Sequence, residues 1–514
     1  MVTSQKASIA AFELNSHANL PALTITYDLD PPLLSRGAGF TGNRPRMSLE
    51  PIGLLTIAIG LLCLPLGSRA TFVTLVVMMQ FTAAAAMVVG GANIQPAHLF
   101  LAFALASVIT QRRDTYAALK AASFGRPGFW LLCLVVSALA SAFFMPRLLA
   151  GSTQIVPLGV SEYANTGSTV PLGPVSSNLT QSIYIVADLA CFAITVGIAS
   201  TEAGFRTACT AVLAYAAGNA IFAVLDLGTY ATGTQVLLGL IRNARYTLHL
   251  DDEVSGLKRI VGSYPEASAF ARATLGIFAF TGTLALCGWR SGWTGLLALV
   301  SLVLVILSTS STGLAGTPLV LIILYLTALM RGGFYPGRPL SSAIVLCAPI
   351  LVVAVILAVL LDDAACETVR SYVDLLIFSK SGTSSGIERN AWNAAAIQNF
   401  FDSLGLGVGL GTVRTSSFPI ALLSNVGIPG SIFYLLFAFT ALARRRGKQL
   451  GFESDVRLAA RNACLALLIG DTFAAPTVEQ GLLFFVLAGL ACAEPEFEAV
   501  DLTTAANPAR VGAT

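Results

Sequence analysis

Apolar residues in this chain fall in long blocks, with neither the strict alternation of a half-buried strand nor the 3.6-residue stripe of a surface helix. The blocks lie at 51–66, 71–92, 97–111, 128–146, 181–200, 207–226, 267–287, 293–309, 313–330, 342–361, 417–442, 458–475 and 480–493. Most hold about 16 to 22 residues, close to the ~20 that a helix needs to cross a bilayer. The pattern predicts an all-α, polytopic membrane bundle occupying 51–493 as one domain. Composition agrees: 55% of residues are hydrophobic, only 11% are charged, and mean hydropathy is +0.77. Soluble domains carry about a quarter charged residues. The polar stretches 1–50 and 494–514 read as disordered tails, and no cleavable signal peptide is visible before the first block.

Charge adds orientation. Short loops rich in Lys and Arg stay in the cytoplasm. Arg112, Arg113, Lys120 and Arg126 mark one such loop, Arg331 and Arg338 a second, and Arg444, Arg445, Arg446 and Lys448 a third. All three share a side if every block from 128 onward crosses once. Loops 147–180, 227–266 and 362–416 then face outward. Arg44 and Arg46 favour an inside N-terminus, so one of the first two blocks is expected to be short, tilted or re-entrant. The expectation is about twelve spans, within roughly 11 to 13, with both tails cytoplasmic. The net charge of +3 gives no footprint for nucleic acid. Nine cysteines without CxxC spacing and three histidines indicate neither a metal centre nor a disulfide framework.

Two of the outer loops, 227–266 and 362–416, gather most of the polar chemistry, and long loops in compact chains are usually functional or disordered. If they meet over the membrane surface, they form one outward-facing polar site. In the first, Arg245, His249 and Arg259 precede Glu266, which stands where water gives way to lipid. Partial desolvation there strengthens a carboxylate as a general base, although a helix N-terminus also favours an acidic residue. Arg272 follows about a turn inside the next block, where an arginine faces a polar cavity or snorkels. Asp188 and Asp471 lie deeper in their blocks and suit a cavity lining or inter-helix hydrogen bonds. In the second loop, Arg389 and Trp392 share a possible helix face, suited to a phosphate beside a stacked sugar ring. The glycine run GLGVGLG, including Gly407 and Gly409, leads to Arg414. Glycine lets backbone pass close to a ligand, and Arg414 adds a fork of donors for phosphate or carboxylate.

Together the RIVGSYPEASAFA segment from Arg259, the STSSTG turn at Ser308–Gly313, Arg389, the glycine run with Arg414, and LLSNVGIPG from Leu422 resemble a known superfamily. It comprises the bacterial O-antigen ligases and the polymerases that elongate lipid-linked polysaccharide repeat units. The resemblance covers roughly the C-terminal half. It implies a glycosyltransferase in the bacterial inner membrane, with a periplasmic site, no cofactor, no metal and no nucleotide sugar. The substrate it implies is an undecaprenyl-diphosphate-linked oligosaccharide, with membrane lipids, a chain-length regulator and a flippase as further partners. Ligases of this kind carry a His-Asn pair where this chain has Phe418 and Pro419. The segment around Glu266 is closer to that of the polymerases, and Arg245 with Gly256 matches a polymerase spacing. The second loop has no clean counterpart, since Arg370 is followed by Gly382 one position late.

A repeat-unit polymerase is therefore the leading expectation. Glu266, Arg259, Arg389 and Arg414 are its catalytic candidates, and Arg245, His249, Arg272, Trp392, Gly407 and Gly409 its binding candidates. An O-antigen ligase and a lipid-linked sugar transporter or flippase are the alternatives.

Overall fold

Within a bilayer a helix satisfies its own backbone groups, and the apolar blocks take that form. The structure is a computed structural model that describes residues 47–89, 92–163, 169–246, 248–254, 256–334, 339–374 and 384–495. Most of the tail expectations, together with Arg338 and Lys380, lie outside these residues.

A short strand β1 (Met47–Leu49) leads into the helical pair α1 (Pro51–Cys63) and α2 (Ser68–Met78). A hairpin of β2 (Met87–Val89) and β3 (Ala92–Ile94) then pairs with β1. Next come α3 (Pro96–Ile109), the amphipathic α4 (Arg112–Ala121) and α5 (Pro127–Leu148). A loop with the two-residue strands β4 (Gln154–Ile155) and β5 (Val170–Pro171) precedes α6 (Ser177–Ile198) and α7 (Glu202–Thr232). The hairpin β6 (Glu253–Val254) and β7 (Leu257–Lys258) precedes α8 (Ala267–Leu286), α9 (Ser291–Leu307), α10 (Ser311–Phe334) and α11 (Pro339–Leu361). Then follow α12 (Asp363–Val373), α13 (Ser384–Asp402), α14 (Phe418–Ala438), α15 (Phe452–Phe473) and α16 (Leu482–Cys492).

Seven helices among the described residues are long and apolar enough to cross a membrane: α5, α6, α7, α8, α10, α11 and α14 with its C-terminal extension to Ala443. The chain is a helical membrane protein on this count. Helices α1, α2, α3, α9 and α16 are apolar but shorter. Helix α15 has the length but carries Arg457, Arg461 and Asp471. Helix α8 is the hub, buried along nearly its whole length between α9, α10 and α15. Helix α11 lies at the periphery with almost its whole surface exposed.

The block 71–92 is helical only to Met78, because the following backbone pairs with distant loops. Ala83 N–H bonds Ser263 O at 3.2 Å, and Ala85 exchanges bonds with the Asn243 side chain at 2.9 and 3.0 Å. This end of the bundle, called the upper face below, also holds the loop before α6 and the glycine run. Leu158 N–H bonds Thr412 O at 3.1 Å and Arg414 N–H bonds Val156 O at 3.0 Å. The lower face holds the α1–α2 turn, where Ser68 Oγ meets Asp114 at 3.2 Å, as well as α4 and the Arg444–Lys448 segment.

One expectation is corrected here. Arg245 pairs with Glu50 at 2.9 Å and with Ser48 at 3.1 Å, and β1 pairs with β2. Residues 47–50 therefore lie on the upper face with loop 233–266, whereas Ala493, bonded to Arg457 at 3.2 Å, lies on the lower. The described ends fall on opposite faces, because α1, α2 and α3 each run between the faces despite being short.

Candidate functional site

Loop 242–266 is held by one buried carboxylate. Asp226, on α7, is fully buried and faces Arg242 Nη2 at 2.7 Å and Lys258 Nζ at 3.2 Å. Its second oxygen accepts the backbone N–H groups of Val261 and Gly262 at 2.9 and 3.1 Å. Two cations and two amides thus compensate one charge, and they draw both ends of the loop onto α7. The sequence reading passed over Asp226, since an aspartate in an apolar block carries no mark of its partners.

Arg259 follows this clamp. Its Nη1 lies 3.7 Å from Asp252, beyond a good hydrogen bond, and its Nε is buried without a partner. Burial lowers its guanidinium below the ordinary value, against the pull of Asp252 and Glu266, and Arg389 lowers it further. Glu266 and Arg389 are therefore both within electrostatic reach of Arg259. Glu266 caps α8, is half-buried, and accepts a hydrogen bond from Ser268 Oγ. His249 is exposed, with Nδ1 3.5 Å from the same Asp252 that faces Arg259.

Arg389 and Trp392 lie one turn apart on α13, and both are half-buried. The guanidinium carbon of Arg414 sits 4.7 Å from the Trp392 ring centroid, a cation–π arrangement. Asn393 locks this geometry by exchanging hydrogen bonds with Ser416 at 2.9 and 3.0 Å. Arg259, Glu266, Arg389, Trp392, Arg414 and His249 are thus gathered on the upper face.

Other expected members do different work. Arg245 uses one nitrogen, Nη2, on Glu50 and Ser48, which joins the loop to β1. Arg272 binds Asp471 through two nitrogens and also donates to Gln480 O at 2.7 Å, so it is held between helices and does not snorkel.

Gly407 and Gly409 are a correction. Both are buried, with φ of 78° and 110°. The close approach their missing Cβ allows is to the protein itself. A Cβ on Gly407 would stand 2.6 Å from Gly427 N, and one on Gly409 would stand 2.7 Å from Pro146. Gly427 interrupts α14 at φ 65°, ψ −165°. The carbonyls of Ser424 and Asn425 freed by that interruption accept Val408 and Gly409 N–H at 2.8 and 2.9 Å. The run therefore seals a broken helix. Two hydroxyls of the STSSTG turn likewise serve backbone: Ser308 Oγ donates to Val305 O at 2.6 Å and Thr309 Oγ1 to Ser308 O at 2.9 Å.

Below the upper cluster lies a second polar group that sequence reading found only in part. The non-helical loop between α15 and α16 descends from Ala475, whose carbonyl takes the Thr415 hydroxyl at 3.2 Å, to Gln480, whose amide oxygen takes the Tyr434 hydroxyl at 2.9 Å. Irregular backbone at this depth is tolerated where it is buried in protein or lines a polar cavity. Glu479, in this loop, is half-buried and accepts Gly481 N–H at 2.5 Å. Asp188 on α6 is fully buried, and neither carboxylate oxygen has a hydrogen-bond partner. Glu479 and Arg272 are both within electrostatic reach of it.

The chain matches none of the known protein-family models and none of the curated proteins it was compared with.

Proposed function

We propose that this chain is a polysaccharide repeat-unit polymerase of the bacterial inner membrane, working on undecaprenyl-diphosphate-linked oligosaccharide at the periplasmic face. The observation that carries this reading is the buried Nε of Arg259, left without a partner within electrostatic reach of Glu266 and Arg389. An unpaired buried donor of this kind suits a phosphate oxygen. A sugar hydroxyl of one lipid-linked unit attacks the anomeric carbon of another chain. The bond from that carbon to the diphosphate oxygen breaks, and its electron pair leaves with the diphosphate. Arg259, Arg389 and Arg414 stabilise the charge that develops there. Glu266 accepts the hydroxyl proton, and Trp392 offers a stacking face for a sugar ring beside Arg414. With the upper face periplasmic, the basic segments 112–126 and 444–448 stand in the cytoplasm, as the charge rule requires. The bundle then crosses about twelve or thirteen times if the short helices also span.

Phe418 and Pro419, in place of the ligase His-Asn pair, favour polymerase over ligase. Cells lacking the protein are expected to accumulate single lipid-linked repeat units. Mild acid releases the glycans for sizing, and long released chains in that mutant would overturn the polymerase reading in favour of the ligase.

A transporter of lipid-linked sugar is the second reading, favoured by unpartnered Asp188 and by the two non-helical interruptions within the bundle, at Gly427 and 474–481. Polymer formed by purified protein in detergent, where no second compartment exists, would exclude transport as the activity measured.

A further inference from the structure

The lower face carries a second cationic cluster, at the opposite end of α14 from Arg414. Arg445 and Arg446 follow the π-helical turn Phe439–Ala443 that extends α14, and Arg457 and Arg461 stand one turn apart on α15. Arg445, Arg446 and Arg457 all act on Arg461 as like charges. A guanidinium cannot relieve such repulsion by losing its proton, and partial burial strengthens it.

Some of the donors serve the fold. Arg446 Nη2 bonds Thr440 O at 2.8 Å, Arg461 Nη2 bonds Arg444 O at 2.6 Å, and Arg457 bonds Ala493 O and Lys448 O at 3.2 and 3.0 Å. The bonds to Thr440 O and Ala493 O cap the ends of α14's extension and α16, and the other two hold the intervening 444–448 loop. They do not use every donor. Arg446, with its side chain 8% exposed, keeps a buried Nε without a hydrogen-bond partner, and so does Arg461. Glu494 approaches Arg446 Nη1 only to 4.0 Å, too far for a hydrogen bond. Buried polar groups are normally satisfied, so two unpaired guanidinium nitrogens in one cluster point to an absent anion.

We propose that Arg445, Arg446 and Arg461, with the charge of Arg457, bind a phosphate-bearing anion, either the headgroup of an anionic membrane lipid or free phosphate. Leu435 and Phe439, exposed on consecutive turns at this end of α14, offer apolar surface for acyl chains, which favours the lipid as the source. The site is independent of the chemistry assigned to the upper face.

The test measures the melting temperature of the full-length protein in a neutral detergent, at constant ionic strength. The additions are phosphatidylglycerol, phosphatidylcholine or orthophosphate. Phosphatidylglycerol is expected to raise it and phosphatidylcholine to leave it unchanged. A matching rise with orthophosphate alone would uphold the site and identify the free anion as its ligand. Arg446→Gln with Arg461→Gln is expected to lose most of the rise. Glu494→Gln, which removes the carboxylate beside Arg446 and leaves the fold's own bonds in place, is expected to enlarge it. No rise with either phosphatidylglycerol or orthophosphate, an equal rise with both phospholipids, or a rise that persists in the double variant or is unmoved by Glu494→Gln, would overturn the proposal.

Discussion

Asp226 accepts a hydrogen bond from Arg242 at 2.7 Å across sixteen residues, with both side chains buried. The same carboxylate faces Lys258 and binds the amides of Val261 and Gly262, so loop 242–262 hangs on one α7 residue. Asp226→Asn leaves Arg242 and Lys258 as buried cations without their counter-charge. Breaking a buried pair in this way costs about 3–5 kcal/mol. Hydrogen exchange across 242–262 is expected to rise, and polymer to fall, because Arg259 loses its support. Unchanged exchange in this loop would show that the clamp does not hold it.

Arg259→Ala and Arg389→Ala are each expected to abolish polymer while the protein still inserts. Each removes a charge-assisted hydrogen bond to the diphosphate, worth roughly 1.5–3 kcal/mol. Arg→Lys should restore little, since an ammonium lacks the planar fork. Gel sizing of the polymer reads the result. Full-length polymer from either alanine variant would remove that residue from the site.

Gly427→Ala tests the glycine knot. Its Cβ would stand 2.3 Å from Leu406 backbone, and φ 65° with ψ −165° is a conformation that costs other residues about 1–3 kcal/mol. The variant is expected to lose most of its monodisperse yield on gel filtration. A normal yield would show that the broken helix can reseal without the glycine run.

Face assignment is open to direct labelling. Single cysteines at Met47 and Ser152, both exposed on the upper face, should react together with an impermeant thiol reagent in intact spheroplasts. A cysteine at Gln449 should react only after lysis. Labelling of position 47 only after lysis would restore the expectation that both ends share the cytoplasmic side.

Long apolar blocks by themselves determined that this chain is a helical membrane protein. Backbone in hydrocarbon has to bond to itself, so a block's length suffices to name its form. Basic residues at 112–126 and 444–448 were likewise legible as one face, because the number of crossings between them settles their side. Six of the proposed site residues lie on the upper face. The remainder depended on which helices are neighbours. Arg272 and Asp471 are 199 residues apart, and Asn178 reaches Leu410 across 232. Nothing local marks Asp226 as a loop anchor, Glu479 as a half-buried carboxyl inside the bundle or Arg245 as a partner for Glu50. From sequence the glycine run reads equally well as a ligand cradle or as a flexible loop before a helix start, and neither reading names a seal for a broken helix. Tertiary packing chose the seal, because Gly427 freed carbonyls that had to find donors inside the bundle.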